Sequence, residues 1–124
     1  MPTVNEQHAT IKASQRIAID FFTVLEKQFP IKDQRVIRIR SASQFADHLN
    51  IHVNHLNRSL KAALNKTTTQ VISERILQEA KFLLRSTTWS VAEISIALGF
   101  TEPTHFNNFF RKNAHMNPTK FRTG

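Results

Sequence analysis

A chain of 124 residues is long enough for one small domain or two very small subdomains. Cysteine is absent, which excludes disulfides and thiolate metal sites, and the two glycines and four prolines are too few for a turn-rich β-sandwich. Seventeen Lys and Arg against nine Asp and Glu give a net charge of +8, which indicates a polyanionic partner, nucleic acid or an acidic membrane surface, about as strongly as it indicates a merely solvated basic surface.

No apolar segment reaches the length of a membrane span, and the first ten residues lack the apolar block of a signal peptide. We therefore expect a cytoplasmic protein, associated with the nucleoid if its polyanionic partner is nucleic acid.

The N-terminal third is predicted to hold one helix between irregular segments. Residues 1–13 show no periodicity and are expected to form a flexible arm. Ser14 to Phe29 has the spacing of an amphipathic helix that ends at Pro30 and packs on the helices after it. In residues 31–40 isoleucines alternate with Arg38 and Arg40, which predicts an extended connector with solvated arginines pointing outward.

Two segments of the chain repeat one pattern. Ser41 and Gln44 form a capping box before a short helix, and Ser90 and Glu93 form another, forty-nine residues later. Each short helix is predicted to point two apolar side chains inward and to end at a residue that tolerates left-handed backbone. These residues are Phe45, Leu49 and Asn50 in the first copy and Ile94, Leu98 and Gly99 in the second.

A second helix comes after each turn, now with an offset of fifty residues. Its predicted buried face carries Leu56 and Leu60 in one copy and Phe106 and Phe110 in the other. The opposite face is polar at positions i, i+3, i+4 and i+7, so its side chains form one exposed strip. The strips are Asn54, Asn57, Arg58 and Lys61 in the first copy and Thr104, Asn107, Asn108 and Arg111 in the second.

A short helix, a tight turn and a second helix with a polar strip make the helix-turn-helix plan. Ala46 and Ser95, four residues before each turn, are small enough for the two helices to cross closely. Further turns are expected at Asn65 and His115. New helices are then expected to start at Thr67-Thr68 and at Asn117-Pro118. Between the two units, Thr69 to Arg85 predicts a helix of about 25 Å that acts as a stiff spacer.

From about Ser41 to Arg122 the chain resembles the AraC/XylS family of bacterial transcription regulators. The resemblance rests on residues 75–84 (RILQEAKFLL), 90–94 (SVAEI), 98–100 (LGF), Phe106, 110–112 (FRK) and 118–122 (PTKFR). It implies an all-α, homeodomain-like fold of about seven helices. The expected division is a first helix-turn-helix subdomain at 14–66, a linker helix at 67–86 and a second subdomain at 87–124.

Two features depart from the family pattern. The family usually has glycine where this chain has Asn65 and His115, and histidine tolerates the left-handed conformation less well than asparagine. The turn at His115 is therefore expected to be strained or differently shaped. The family also usually carries a sensing or oligomerisation domain, which we expect to be missing from this chain, either trimmed or absent in a short form.

The resemblance implies that the second helix of each unit enters the major groove of duplex DNA. Arg pairs with guanine and Asn with adenine through two hydrogen bonds, so the strips supply the candidate base contacts. Basic residues further along each helix are expected to bind phosphates. The candidate base contacts are Asn54, His55, Asn57, Arg58, Thr104, Asn107 and Asn108, and the candidate phosphate contacts are Lys61, Arg111 and Lys112. Operator or promoter DNA is the expected partner, and RNA polymerase is a further candidate.

Other functions fit the residues less well. His48, His52 and His55 are closely spaced, but Asn50 interrupts the first pair and no third ligand is evident, so no metal or cofactor is expected. No phosphate-binding glycine loop or acid–base pair indicates an enzyme.

The main alternative is an interaction module that binds an acidic partner or a membrane surface. Such a surface helix should expose large apolar residues beside its cations, whereas the strips carry Asn and Thr. RNA binding is also disfavoured, because Phe106, Phe109, Phe110 and Trp89 are expected to pack inside rather than stack on bases.

Overall fold

The computed structural model describes residues 13–32 and 36–124, which form seven α-helices joined by turns and extended segments. The all-α, seven-helix prediction is confirmed, whereas the predicted flexible arm lies outside the described residues except for Ala13, which begins the first helix. The helices are α1 Ala13–Lys27, α2 Ala42–His48, α3 Val53–Leu64, α4 Thr68–Ser86, α5 Val91–Ala97, α6 Pro103–Ala114 and α7 Pro118–Thr123.

Helices α1, α2 and α3 pack around one apolar centre. Phe21 and Leu25 of α1 are buried, and the Phe21 ring lies 4.9 Å from the ring of Phe45 in α2. Leu56 and Leu60 complete this core from α3, which packs along α1. The buried face predicted for α3 is confirmed, and α1 packs on the helices after it as expected, although it ends at Lys27 and Phe29 is only half-buried beyond it.

Helices α5, α6 and α7 form a second core that is richer in aromatic rings. Phe106 and Phe110 of α6 are fully buried, as predicted, and their ring centroids are 5.9 Å apart. Phe121 of α7 packs edge-on against Phe110 at 5.4 Å. Trp89 and Phe109 are half-buried against this core, so the expectation that these rings pack inside holds in part for both.

Helix α4 is more than a spacer between the two cores. It starts at a third capping box, formed by Thr67 and Gln70, and packs against α3 on one side and α5, α6 and α7 on the other. Its buried side carries Ile72, Ile76, Ala80 and Leu83. At its C-terminal end Arg122 donates from Nε to the Leu84 carbonyl at 2.8 Å. Because its backbone acceptors are intramolecular, this arginine belongs to the fold rather than to the exposed basic surface.

The caps and turn residues predicted for the two helix-turn-helix units are confirmed. Ser41 and Ser90 cap α2 and α5, each with the reciprocal bond from the residue three positions on. Four residues have positive φ angles at the expected turns: Asn50 (56°), Asn65 (57°), Gly99 (84°) and His115 (64°). The backbone at His115 has nearly the same conformation as at Asn65, so the turn is not differently shaped, and any strain is in the histidine itself.

The helices of each unit cross where a small residue was predicted, since Ala46 and Ser95 are both buried. The carbonyl of each accepts a hydrogen bond from the first residue after the turn, Ile51 or Phe100, at 3.0 Å. One inward prediction is wrong in degree: Leu98 is fully buried, but its counterpart Leu49 is only half-buried.

The connector before α2 is extended, as predicted, but one of its arginines does not point to solvent. Ile37 is buried and Arg38 is exposed, which fits the alternation. Arg40 is half-buried: its Nη1 donates to the Gly99 carbonyl at 3.0 Å and its guanidinium lies 4.4 Å from the Phe100 ring centroid. Alternation along a strand identifies which side a residue faces, but here the outer side is covered by the second helix-turn-helix unit.

Candidate nucleic-acid interface

The first candidate surface is the exposed face of α3. The helix starts at His52, whose Nδ1 accepts the backbone N–H of Asn54 at 3.3 Å. Burial of Leu56 and Leu60 turns the opposite face outward. Every residue predicted to contact DNA from this helix is exposed: Asn54, His55, Asn57, Arg58 and Lys61.

The second candidate surface is the equivalent face of α6. This helix starts at Glu102 without a side-chain cap and has Pro103 at its first position, where the missing N–H costs nothing. Burial of Phe106 and Phe110 again turns the polar strip outward. The predicted contact residues are all exposed here too: Thr104, Asn107, Asn108, Arg111 and Lys112.

The two strips differ in their internal hydrogen bonding. In α6, Arg111 Nη2 donates to Asn108 Oδ1 at 3.2 Å, so the arginine holds the side-chain amide of a candidate base contact. The corresponding pair in α3 is Arg58 and Lys61, two cations that cannot bond to each other. The first strip therefore presents two independent cations, and the second presents an amide that is already oriented.

The second strip also borders an open groove of about 380 Å³ between α6 and the start of α7. Asn117 caps α7 by accepting the backbone N–H of Lys120 at 2.7 Å. The sequence placed a helix start at this residue but did not place it beside the strip, because that depends on how α7 folds back on α6. The groove is lined by Thr104, Asn107, Asn108, Arg111, Asn117, Pro118 and Thr119.

One exposed residue on α6 was missed as a candidate. His105 lies fifty residues after His55, at the equivalent position, so the repeat itself carried the signal. Its Nδ1 is 3.3 Å from Thr101 Oγ1 and its Nε2 is 3.8 Å from the Glu102 carboxylate. His105 is thus held by neighbours at the start of α6, whereas His55 has no such acid beside it in the sequence.

The described residues contain no group of three potential metal ligands among His, Cys, Asp and Glu. None of the seven helices within 13–32 and 36–124 is long and apolar enough to cross a bilayer.

Two helix-turn-helix units, each with an exposed polar strip on its second helix and a shared central helix, define a tandem helix-turn-helix DNA-binding domain. Comparison with known proteins assigns this domain to a family. A family model described as "Helix-turn-helix domain" matches residues 45–124. The chain is 33% identical over 99 residues to the xylose operon regulatory protein of Haemophilus influenzae, a match that covers 80% of this chain and 25% of that protein.

Solved structures share the fold. An AraC-type transcriptional regulator from Chromobacterium violaceum has a TM-score of 0.69 at 23% identity, covering 89% of this chain and 92% of that chain. The DNA-binding domain of AdpA, solved in complex with a target DNA, has a TM-score of 0.68 at 19% identity, covering 86% and 89%. The chain therefore belongs to the AraC-type helix-turn-helix DNA-binding domains of transcription regulators, a family that is not an enzyme class. It spans about a quarter of the length of the curated relative.

Proposed function

We propose that the chain binds a bipartite, sequence-specific site on duplex DNA, with α3 and α6 in successive major grooves on one side of the double helix. The observation that supports this most directly is the equivalence of the two strips. Both lie opposite a fully buried apolar pair, and the described strips carry no acidic side chain. Because a face opposite a buried pair is polar in any case, the support comes from what the two strips share beyond polarity: side chains that can hydrogen-bond to base edges, cations further along each helix, and no acid.

The base contacts proposed for the first half-site are Asn54, Asn57 and Arg58, with His55 beside them. Arg58 fits guanine O6 and N7, and each Asn fits adenine N6 and N7. Because these side chains are exposed, this strip favours direct hydrogen bonds to base edges over recognition of DNA shape alone.

The base contacts proposed for the second half-site are Thr104, Asn107 and Asn108. Arg111, which bonds to Asn108, is proposed to bind a phosphate while it holds that amide in place. Lys61 in the first unit and Lys112 in the second are proposed as further phosphate contacts. With fewer cations among its base contacts, this half-site is expected to be richer in A·T pairs.

Because both units lie in one chain, a monomer covers an asymmetric site whose half-sites are about 10 bp apart. We propose that this site lies in operator or promoter DNA, which places the protein at the nucleoid and makes RNA polymerase a further partner. A sensing or oligomerisation domain, usual in the family, is proposed to act with this domain in the intact regulator.

The test is a selection of the domain against randomised duplex DNA, with binding of the selected sites measured at two salt concentrations. Two half-sites about 10 bp apart, with affinity that falls as salt rises, are expected. The matched control is Lys27→Ala, which removes one exposed charge from α1 outside both strips. It should lower affinity slightly for all sequences and leave the selected motif unchanged.

A single selected half-site would mean that only one strip contacts bases. Salt-sensitive binding without any motif would contradict the proposal and favour a basic module that binds an acidic partner.

A further inference from the structure

The contact between Arg40 and the turn of the second unit joins two parts of the protein that are fifty-nine residues apart in sequence. Arg40 lies at the end of the connector, one residue before the cap of α2. Its guanidinium reaches Gly99 and Phe100, in the turn between α5 and α6. This contact therefore links the supports of the two candidate recognition helices directly, without passing through α4.

The backbone at and just before Arg40 is held in place by hydrogen bonds within the first unit. The side chain of Gln28, just after α1, accepts the N–H groups of Arg38 and Ile39 and donates to the Ile39 carbonyl at 2.8 Å. The Arg40 N–H donates to Gln44 Oε1, part of the α2 capping box, at 2.9 Å. The Arg40 side chain thus extends from a backbone segment that is fixed by hydrogen bonds to the first unit.

The second unit also bonds to the connector through backbone. Ile37 N–H donates to the Ala97 carbonyl at 3.0 Å, so two connector residues reach the end of α5 and its turn. Between the units lies an open groove of about 610 Å³, which is lined by the connector and α2, by Thr69, Ile72, Ser73 and Ile76 of α4, and by Gly99 and Phe109 of the second unit. Helix α4 packs against both units beside this groove, and the hydrogen bonds of Ile37 and Arg40 add a second connection at its edge that fixes their orientation.

Gly99 supplies the space that this contact requires. A Cβ atom at Gly99 would lie 2.6 Å from Arg40 Cδ and 3.2 Å from Arg40 Nε. The turn alone does not demand glycine, since Asn50 has a positive φ of 56° at the same position of the first unit. The difference between the two turns is the arginine that packs on the second one.

We propose that Arg40 is a positioning residue for DNA recognition, which fixes the orientation of α6 relative to α3 by docking on the Gly99 turn. The inference deepens the proposed function, because orientation matters only if both helices bind one DNA site. Removal of the dock leaves each unit folded around its own core and frees the units to reorient about α4.

The first experiment measures the orientation without DNA. The chain has no cysteine, so the pair Ala62→Cys and Lys112→Cys adds two unique spin-label sites, at exposed positions fifty residues apart. Pulsed electron paramagnetic resonance should give a narrow distance distribution for the otherwise unchanged chain. Arg40→Met, which keeps the stem and removes the donors, should broaden it, and Arg38→Met, which changes an exposed arginine nearby, should not.

Gly99→Asn provides a second, independent variant, since asparagine satisfies the turn but displaces Arg40. It should broaden the distribution as Arg40→Met does, and Arg40→Lys, which keeps a cation that can donate to the Gly99 carbonyl, should restore part of the narrow distribution. Thermal unfolding of each variant identifies any that fails to fold. Unchanged distributions in both Arg40→Met and Gly99→Asn would overturn the proposal.

The second experiment measures DNA binding to a duplex with both half-sites and to duplexes with one. Arg40→Met should weaken binding to the bipartite site roughly tenfold, because the second contact loses effective concentration, and should change single-half-site binding less than about twofold. It should also reduce the penalty for inserting one base pair between the half-sites. Equal losses on both kinds of duplex would indicate a merely structural role and overturn the proposal.

The two experiments separate the inference from the proposed function. If the unchanged chain selects no bipartite site, the proposed function fails, and the spin-label distances still decide whether Arg40 fixes the orientation.

Discussion

The two helix-turn-helix units start from the same local pattern and reach different interiors. In the first, α3 packs along α1 and buries Leu56 and Leu60. In the second, α6 packs on α4 and α7 and buries Phe106 and Phe110 at the same positions. The caps, turns and strips repeat because they depend on neighbouring residues, whereas the buried side chains differ because each unit has different helices to pack against.

The turns show the same lesson on a smaller scale. Asn50 and Gly99 both adopt left-handed backbone, so the local requirement is identical. Only the second turn is covered by an arginine from elsewhere in the chain. A residue difference that looks like a free choice between two turn formers is thus explained by a tertiary contact.

The largest expected effect is on stability. It tests whether the aromatic side chains in the core of the second unit can be replaced by the aliphatic residue type found in the core of the first. Phe106→Ala should lower the free energy of unfolding by about 3–5 kcal/mol, because a fully buried ring leaves a cavity. Phe106→Leu, which introduces the residue type of Leu56, should cost only roughly 1–2 kcal/mol. Urea denaturation with an unchanged m-value measures both. Equal costs for the two variants would show that the ring shape, rather than volume, is required.

The next largest effect is on DNA affinity, and it tests whether the two strips contribute differently to binding. Arg58→Ala should weaken binding to the selected site by roughly 1–3 kcal/mol and relax the preference at its base pair. Asn108→Ala should cost less, since it removes a neutral contact from a strip whose Arg111 remains. Binding to a panel of duplexes with single base changes gives both numbers. If the base preference is retained in Arg58→Ala, the assignment of this residue is wrong.

A smaller effect on stability is expected at the two turns that follow the C-terminal ends of α3 and α6. His115→Gly should raise the free energy of unfolding by roughly 0.5 kcal/mol, because the relief of left-handed strain exceeds the entropy that glycine adds to the unfolded chain. Asn65→Gly should change it by about zero, since asparagine tolerates this conformation. Thermal unfolding of the paired variants provides the comparison, and destabilisation by His115→Gly would show that the imidazole has a contact worth more than the strain.

The smallest effect uses the two capping boxes, which carry Gln44 in the first unit and Glu93 in the second. Hydrogen bonds from the Ser90 backbone and side chain lower the pKa of Glu93 below its ordinary value of 4.5. Because the folded-state pKa is the lower one, the carboxylate stabilises α5 above the unfolded-state value, and this stabilisation is lost as the pH falls through the folded-state value.

The protection factors of the amides at the start of α5, which are corrected for the intrinsic pH dependence of exchange, should therefore fall on acidification, whereas those at the start of α2 should not acquire this pH dependence. Glu93→Gln is the matched control, since it gives the second unit the capping box of the first. A pH response that persists in Glu93→Gln would assign the effect to another group.

Much of the site was predictable because its parts are short-range. Capping boxes, left-handed turns and the spacing of Leu56 and Leu60 involve residues within one or two helical turns of each other. The strips are then predictable too, because a helix that buries one face must expose the opposite one. The same repeat also pairs His55 with His105, a correspondence that careful use of the fifty-residue offset reveals.

The features that escaped prediction involve partners far apart in the chain. The sequence predicted Arg40 as solvated, but it docks on Gly99, and Arg122 caps the end of α4 at the Leu84 carbonyl. Glu79 is buried, where it accepts the Ile31 N–H and pairs with Arg75. No periodicity marks such residues, since a charged side chain has the same local signature whether it meets water or a distant carbonyl.

By itself, the sequence determined the helical content, the two tandem units with their caps and turns, and the exposed polar strips, because hydrophobic periodicity and capping are properties of contiguous residues. The tertiary structure alone decided how the units face each other, through Ile37 and Arg40 against the end of α5 and its turn. Orientation depends on contacts between segments about sixty residues apart, and local physical chemistry does not specify which of many such contacts will form.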